Sequence, residues 1–490
     1  MTFNSFIFWL VFPCIFAIYW LLPDQVGGGR FCKGGVKPRN LFLILASYLL
    51  YANWKPAYTL ILLAITLLTY FGARYFSRFQ DSSFKIQDTE NAEKKKHRAL
   101  ILLFVFLTLF PLLVFKYYNF INESVWSLLS SVRLRYELHG LNWTIPVGIS
   151  FYTFQALSYL FDVYYKKEKA EKSFIDYTLF VCFFPQIFSG PISKAGELLP
   201  QIKQKRKFNY EQGVQGLKFL LWGMFLKLVL ADRLGLYVDK VVGSYMLYDG
   251  PTCVISAIFY SLQIYGDFAG YSLMAVGLAK TLGFDLINNF NRPYFSISIT
   301  DFWRRWHISL SRWLKDYVYI PMGGSRCSKV RNYWNIFVTF LVSGIWHGAN
   351  WTYIVWGIIH GVAQIIEKVL GLNNKGAKGI WRFVRIVVTF SVVTLAWVFF
   401  RMPTLGDAVA YVGHSFSGFG MPSVLSVTNF AIYVVAIAIV LFKESREEFF
   451  PSKFHFLDNR YVRWAEYVVI FCLILLCGAL DSGSFIYGSF

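Results

Sequence analysis

An all-α polytopic membrane protein, with about 11–13 membrane segments including re-entrant helices, is predicted by three observations. The 490 residues are 56% hydrophobic and 20% aromatic but only 16% charged, with a mean hydropathy of +0.46. A soluble domain runs nearer a quarter charged. Apolar stretches recur along the whole chain, at 6–22, 41–52, 57–76, 99–115, 145–161, 174–192, 213–231, 252–282, 333–346, 350–370, 383–400, 424–442 and 464–480. The excess of 48 Lys+Arg over 28 Asp+Glu, a net charge of +20, sits between those stretches. In a soluble chain that balance would suggest nucleic acid; here it reads as topology first and anion binding second. An ordinary soluble enzyme is excluded, and no nucleic-acid partner is expected.

Taken in order, residues 6–22 have nothing basic before them and no small-residue cleavage site after them, so they read as a retained span and not a removable signal. The segments 24–39 (Arg30, Lys33, Lys37, Arg39), 77–98 (Lys94, Lys95, Lys96) and 166–172 are basic and are expected to be cytoplasmic, with Met1 outside. The segment 194–218 (Lys194, Lys203, Lys205, Arg206, Lys207, Lys218) is basic too, yet a single apolar stretch separates it from 166–172. Both ends of that stretch want the same side. Its sequence, FIDYTLFVCFFPQIFSGPIS, carries Pro185 and Gly190-Pro191, which break helices. A re-entrant segment is therefore predicted, against the alternative of one ordinary span that violates the charge rule. The seven cysteines include no Cys-x-x-Cys pair, so neither a disulfide framework nor a metal site is expected. No internal repeat and no soluble domain is discernible. The chain reads as one transmembrane domain, with N-terminal spans over 1–142, a chemical core over 143–370 and C-terminal spans over 371–490.

Chemistry is densest between 260 and 361. Residues 288–331 are polar, aromatic and too charged to face lipid, so they read as an interfacial or re-entrant unit packed into protein. A helical reading of 301–315 gathers Arg304, Arg305, Arg312 and Lys315 near His307, with Trp303, Trp306 and Trp313 at headgroup level. Guanidinium grips phosphate bidentately, so the patch suits a phosphate-bearing donor. A clamp on anionic lipid would use the same charge physics.

His347 lies in LVSGIWHGANW, where an apolar helix breaks at Gly348 and Asn350. An ionisable residue at membrane depth marks a functional site by default. A desolvated imidazole stays neutral and could take a proton as general base. The alternative is a structural histidine bonded at a helix end. His360, in WGIIHG, reads more as helix packing. Asp267, in an uncharged run, could orient a histidine or hold the fold through Arg or backbone donors; the second reading is preferred. His97, His139, His414 and His455 lie in loop-like or span-edge contexts.

These strings also resemble a known family. DFWRRWHISLSRWLKDYVYIPMGG, preceded by NFNRPY and followed by IWHG, is similar to the membrane-bound O-acyltransferase family, in its bacterial branch containing the alginate O-acetylation protein. PVGISFYTFQALSYLFDVY, FFPQIFSGPISKAGELLPQI, FKYYNF and the terminal FIYGSF extend the likeness over most of the chain. Leu273 stands where relatives tend to carry Asp after GYS, which puts a second acid there in doubt. Met322, in place of the usual Leu, conserves volume.

The resemblance implies a ring of tilted helices around a thinned centre, with a tunnel reaching the catalytic histidine. It places that histidine on His347 and the second one on His307. It further implies an O-acetyltransferase of a multi-pass bacterial inner membrane that takes acetyl from cytoplasmic acetyl-CoA, with no resident cofactor. Arg304, Arg305, Arg312 and Lys315 would be the donor contacts by charge. The product would be an O-acetylated extracytoplasmic polysaccharide, of alginate type by preference, reached through a periplasmic or surface SGNH-type acetyltransferase. Peptidoglycan O-acetylation, D-alanyl transfer and a non-enzymatic polymer transporter remain as alternatives.

Overall fold

The computed structural model describes all residues except 1, 2, 4, 25–36, 83–89, 133–139, 189, 373–375, 419, 424–425, 451–458 and 480–490. Arg30, Lys33, His139, His455 and the terminal FIYGSF fall outside the described residues. Every regular element among the described residues is helical. Five runs are long and apolar enough to cross a bilayer: Tyr58–Arg78, Lys95–Ser131, Tyr210–Gly243, Gly379–Arg401 and Val427–Phe449. Apolar stretches such as Phe6–Leu21 and Phe174–Ile187 form shorter helices. The larger number of segments expected from the sequence includes these short and broken ones. The described residues fall into two compact units, one from 1–217 and 275–287, the other from 218–274 and 288–489. Those limits differ from the three blocks drawn on the sequence.

In the first unit, Ile149–Tyr164 and Phe174–Cys182 are buried along almost their whole lengths. The stretch with Pro185 and Gly190-Pro191 forms a nine-residue helix, Phe174–Cys182, and one turn, Phe184–Ile187. Nine residues rise about 14 Å, half of a hydrocarbon core about 30 Å thick. The backbone groups freed at the break find protein partners, as non-helical chain away from water requires. Phe184 N donates to Ser47 Oγ at 3.1 Å, and Gln186 Nε2 donates to Pro191 O at 3.1 Å.

Gly148 supports this packing. Its φ of +70° is left-handed, and a Cβ there would stand 1.8 Å from Ile187 O. Gly148→Ala should therefore cost at least the roughly 1–3 kcal/mol of a strained backbone position. The expected result is a lowered melting temperature of the purified protein in detergent, and an unchanged one would refute the close approach.

The second unit holds the helical hairpin Lys329–His347 and Trp351–Val369. The helices approach closely at Gly344 and Gly357, where added Cβ atoms would lie 2.4 Å from Tyr353 O and 2.5 Å from Phe340 O. The first helix ends at His347, Gly348 is extended, and Asn350 caps the second by accepting from Thr352 N at 3.0 Å. The break predicted at Gly348 and Asn350 is thus the hairpin turn. Earlier in the unit, Phe225–Ala231 forms a π-helical stretch between Tyr210–Met224 and Asp232–Gly243.

Candidate functional site

His347 closes its helix, 2% exposed, with its ring 4.7 Å from Trp346, 4.8 Å from Trp356 and 5.3 Å from Phe400. His307 is fully buried between the short helices Ile299–Arg305 and Ile308–Leu314. Its ring stands edge-on to Phe268 at 4.7 Å and 6.0 Å from Trp346. Trp346 therefore touches both histidines that the sequence selected. Burial pushes the His307 imidazole down to about 3, so the ring is neutral at any physiological pH.

The backbone of His307 is left-handed, φ +43°, at a cost of order 1–3 kcal/mol for a residue with a Cβ. Cross-links hold it there. Ile308 N donates to Asn289 O at 2.9 Å, Ser309 N to Asn289 Oδ1 at 3.1 Å and Asn291 N to Arg305 O at 2.9 Å.

His360, which the sequence reading weighed towards helix packing, is set among aromatic rings. It is fully buried, 4.9 Å from Trp356 and 5.2 Å from Trp303. Trp303 Nε1 donates to its Nδ1 at 3.3 Å, which requires that nitrogen to be unprotonated. In the neutral ring the proton then sits on Nε2, an atom without a hydrogen-bond partner among the described residues. Trp356 Nε1 and Ser343 Oγ are in the same condition. The signal was present as spacing: Trp356, His360, Gln364 and Lys368 recur every four residues on one helix face.

That face leads to a cavity of about 400 Å³. Arg304, Lys315 and Lys368 line it, with Trp303, Ser343 and Gln364. Among the described residues none of the three cations forms an ion pair with a carboxylate. Trp303 is both a wall of the cavity and the donor to His360, so the cations and the histidines share one side chain. The four cations selected from the sequence divide here. Arg304 and Lys315 face the cavity, while Arg312 is not among its lining residues. Arg305 is turned to Asp301 at 3.0 Å and Glu448 at 2.9 Å, both through charge-assisted bonds. Lys368, whose ammonium also bonds Asn332 Oδ1, escaped the sequence reading because it lies 64 residues beyond Arg304.

Asp267 meets a lysine, a partner that the sequence reading had not named. Lys227 Nζ lies 2.6 Å from Asp267 and 2.7 Å from Asp232, at 1% side-chain exposure. The π stretch Phe225–Ala231 carries this lysine.

The sequence matches the membrane-bound O-acyltransferase family over residues 47–402, an interval that contains the three histidines and the cavity. It is 36% identical to a probable alginate O-acetylase of Pseudomonas syringae pv. tomato, over 85% of this chain and 75% of that protein. It is 33% identical to a peptidoglycan O-acetyltransferase of Helicobacter pylori, over 84% and 78%. A teichoic acid D-alanyltransferase of Bacillus subtilis is 28% identical over 57% of this chain and 73% of its own length. With a family match over most of its length and relatives above 30% identity, the chain belongs to the membrane-bound O-acyltransferase family.

Proposed function

We propose that this acyltransferase takes acetyl from cytoplasmic acetyl-CoA and supplies it for O-acetylation of an extracytoplasmic polysaccharide, of alginate type by preference. The observation that carries the reading is the placement of Arg304, Lys315 and Lys368 around one cavity whose Trp303 wall is bonded to the histidine cluster. Cations without carboxylate partners suit the phosphates of a nucleotide-bearing thioester. The relatives named alginate O-acetylase and peptidoglycan O-acetyltransferase support acetyl as the group moved.

In the proposed step, neutral His347 removes the proton of an acceptor hydroxyl while its oxygen attacks the thioester carbonyl. The C–S bond breaks, the acetyl ester forms, and the proton passes from the imidazolium to the departing thiolate. Alternatively, the imidazole nitrogen attacks the thioester and expels the thiolate, and the acceptor hydroxyl then displaces the imidazole from the acetyl carbon, its proton passing to the thiolate. His307 lines the path and helps to position the thioester. The Trp356 Nε1 and His360 Nε2 protons, without hydrogen-bond partners among the described residues, are candidates to stabilise the oxyanion. For a long polymer the acetyl would pass to a periplasmic or surface SGNH-type acetyltransferase, which would finish the transfer. The proposed setting is the bacterial inner membrane.

The experiment is transfer of radiolabelled acetyl from acetyl-CoA in inside-out membrane vesicles, at matched expression. Arg304→Ala and Lys315→Ala should each raise the donor KM by about tenfold, the worth of one charge-assisted contact near 1.5 kcal/mol. A donor KM unchanged in both variants would remove the cavity from donor binding. If the native chain transfers no label while expressed and folded, acetyl-CoA is not its donor.

A further inference from the structure

The helix Val427–Phe449 lies beyond residue 402, where the family match ends, and on composition alone it is one more apolar span. Near its end stand Glu444 and Glu448, four residues apart and so on one face. Glu444 is buried and the Glu448 side chain is 7% exposed; Glu448 pairs with Arg305 in the segment that holds His307, and Glu444 with a tyrosine packed against that segment. Glu444 accepts from the hydroxyl of Tyr265, whose ring lies 5.9 Å from Phe290, 5.5 Å from Tyr294 and 6.2 Å from Trp306. Glu448 Oε2 accepts from Arg292 Nε and Arg305 Nη1, each at 2.9 Å. Its Oε1 accepts from Arg382 Nη2 at 2.8 Å.

Arg292 and Arg305 belong to the two stretches cross-linked around His307. The amide of Asn291 bonds Arg305 O, and that of Ile308 bonds Asn289 O. Arg292 and His307 are both left-handed, φ +47° and +43°. Non-glycine residues persist there only when their surroundings over-determine them. A single carboxylate oxygen, on a side chain 7% exposed, that accepts from one arginine of each stretch is such a determinant.

We propose that Glu448 is a positioning residue of the acyl-transfer centre. By bonding Arg292 and Arg305 together it keeps 289–292 in register with 305–309, and so keeps His307 in its left-handed conformation beside Trp346. The helix Val427–Phe449 is then part of the catalytic machinery and not an appended anchor. The inference rests on the reading that His307 lines the acyl path. A purely structural Glu448, tying helices together, would act as much through Arg382 as through the two loop arginines. That difference is the test.

The full chain in detergent is compared as native, Glu448→Gln, Arg292→Gln and Arg382→Gln, by acetyl transfer over a range of acetyl-CoA and by hydrogen exchange of the amides 289–309. Glu448→Gln and Arg292→Gln should each lower kcat about tenfold with donor KM within about twofold of native. A Glu448→Gln/Arg292→Gln double variant should be no more impaired than the more impaired of the two single variants. Exchange over 289–309 should quicken while the helix 58–78 stays as protected as before. Arg382→Gln should remain near native in both readouts. Equal losses in Arg382→Gln, or native exchange over 289–309 in both Glu448→Gln and Arg292→Gln, overturns the proposal. If Glu448→Gln does not accumulate, Arg292→Gln and Glu448→Asp carry the same comparison. A native chain without acetyl transfer would defeat the functional reading alone, and the exchange data would still decide whether Glu448 holds the loop.

Discussion

Replacing His347 by Ala should abolish acetyl transfer, with a loss of about 10²–10⁴-fold in kcat if the imidazole is the general base. His347→Gln is the companion variant, because it fills most of the volume enclosed by Trp346, Trp356 and Phe400. Leaving a hole in a packed core costs stability without touching chemistry, so the two variants separate the effects. A base is lost equally in both; a packing role is rescued by Gln. The measurement is labelled product per folded protein in inside-out vesicles, with the melting temperature taken on the same preparations. Native rates in both variants would remove His347 from the catalytic step. If the imidazole instead carries the acetyl group, both variants are still inactive, and acid-trapped native enzyme should carry label on His347.

The second large effect is on stability. Lys227→Met should prevent accumulation of folded protein, because it leaves the carboxylates of Asp267 and Asp232 buried around a neutral side chain. Breaking a buried ion pair by removing one partner costs about 3–5 kcal/mol, which is a large part of the total stability of a typical domain. The expected readout is loss of the monodisperse peak on size-exclusion chromatography in detergent. Combining Lys227→Met with Asp232→Asn and Asp267→Asn removes the uncompensated charge, and much of the peak should return. A Lys227→Met protein that is as abundant and melts at the same temperature as native would mean that the triad contributes nothing to the fold.

The two effects differ in how visible they were beforehand. His347 could be selected from a few residues on either side, because an apolar helix interrupted by Gly348 and Asn350 is a local pattern. The triad could not. Asp267 was recognised as an acid needing a partner, but Lys227 stood 40 residues earlier in a stretch read simply as apolar. The same holds for the arginines. Charge and helical spacing grouped Arg304 with Arg305, whereas the fold turns one to the cavity and the other to Glu448.

What the sequence by itself determined is everything that depends on neighbours along the chain. The membrane class follows from apolar stretches separated by bases, the broken segment after Ser173 from its prolines and glycine, and the hairpin turn at His347 from Gly348 and Asn350. The resemblance of its motifs to an acyltransferase family belongs here too. The tertiary structure alone decided which distant groups meet: Trp303 with His360, Lys368 with Arg304 at one cavity, Lys227 with two carboxylates, Glu448 with the arginines around His307. The reason is physical. Helix periodicity and backbone breaking are set within a turn or two, whereas buried charges and polar atoms choose partners only once packing has removed water and left each of them few alternatives.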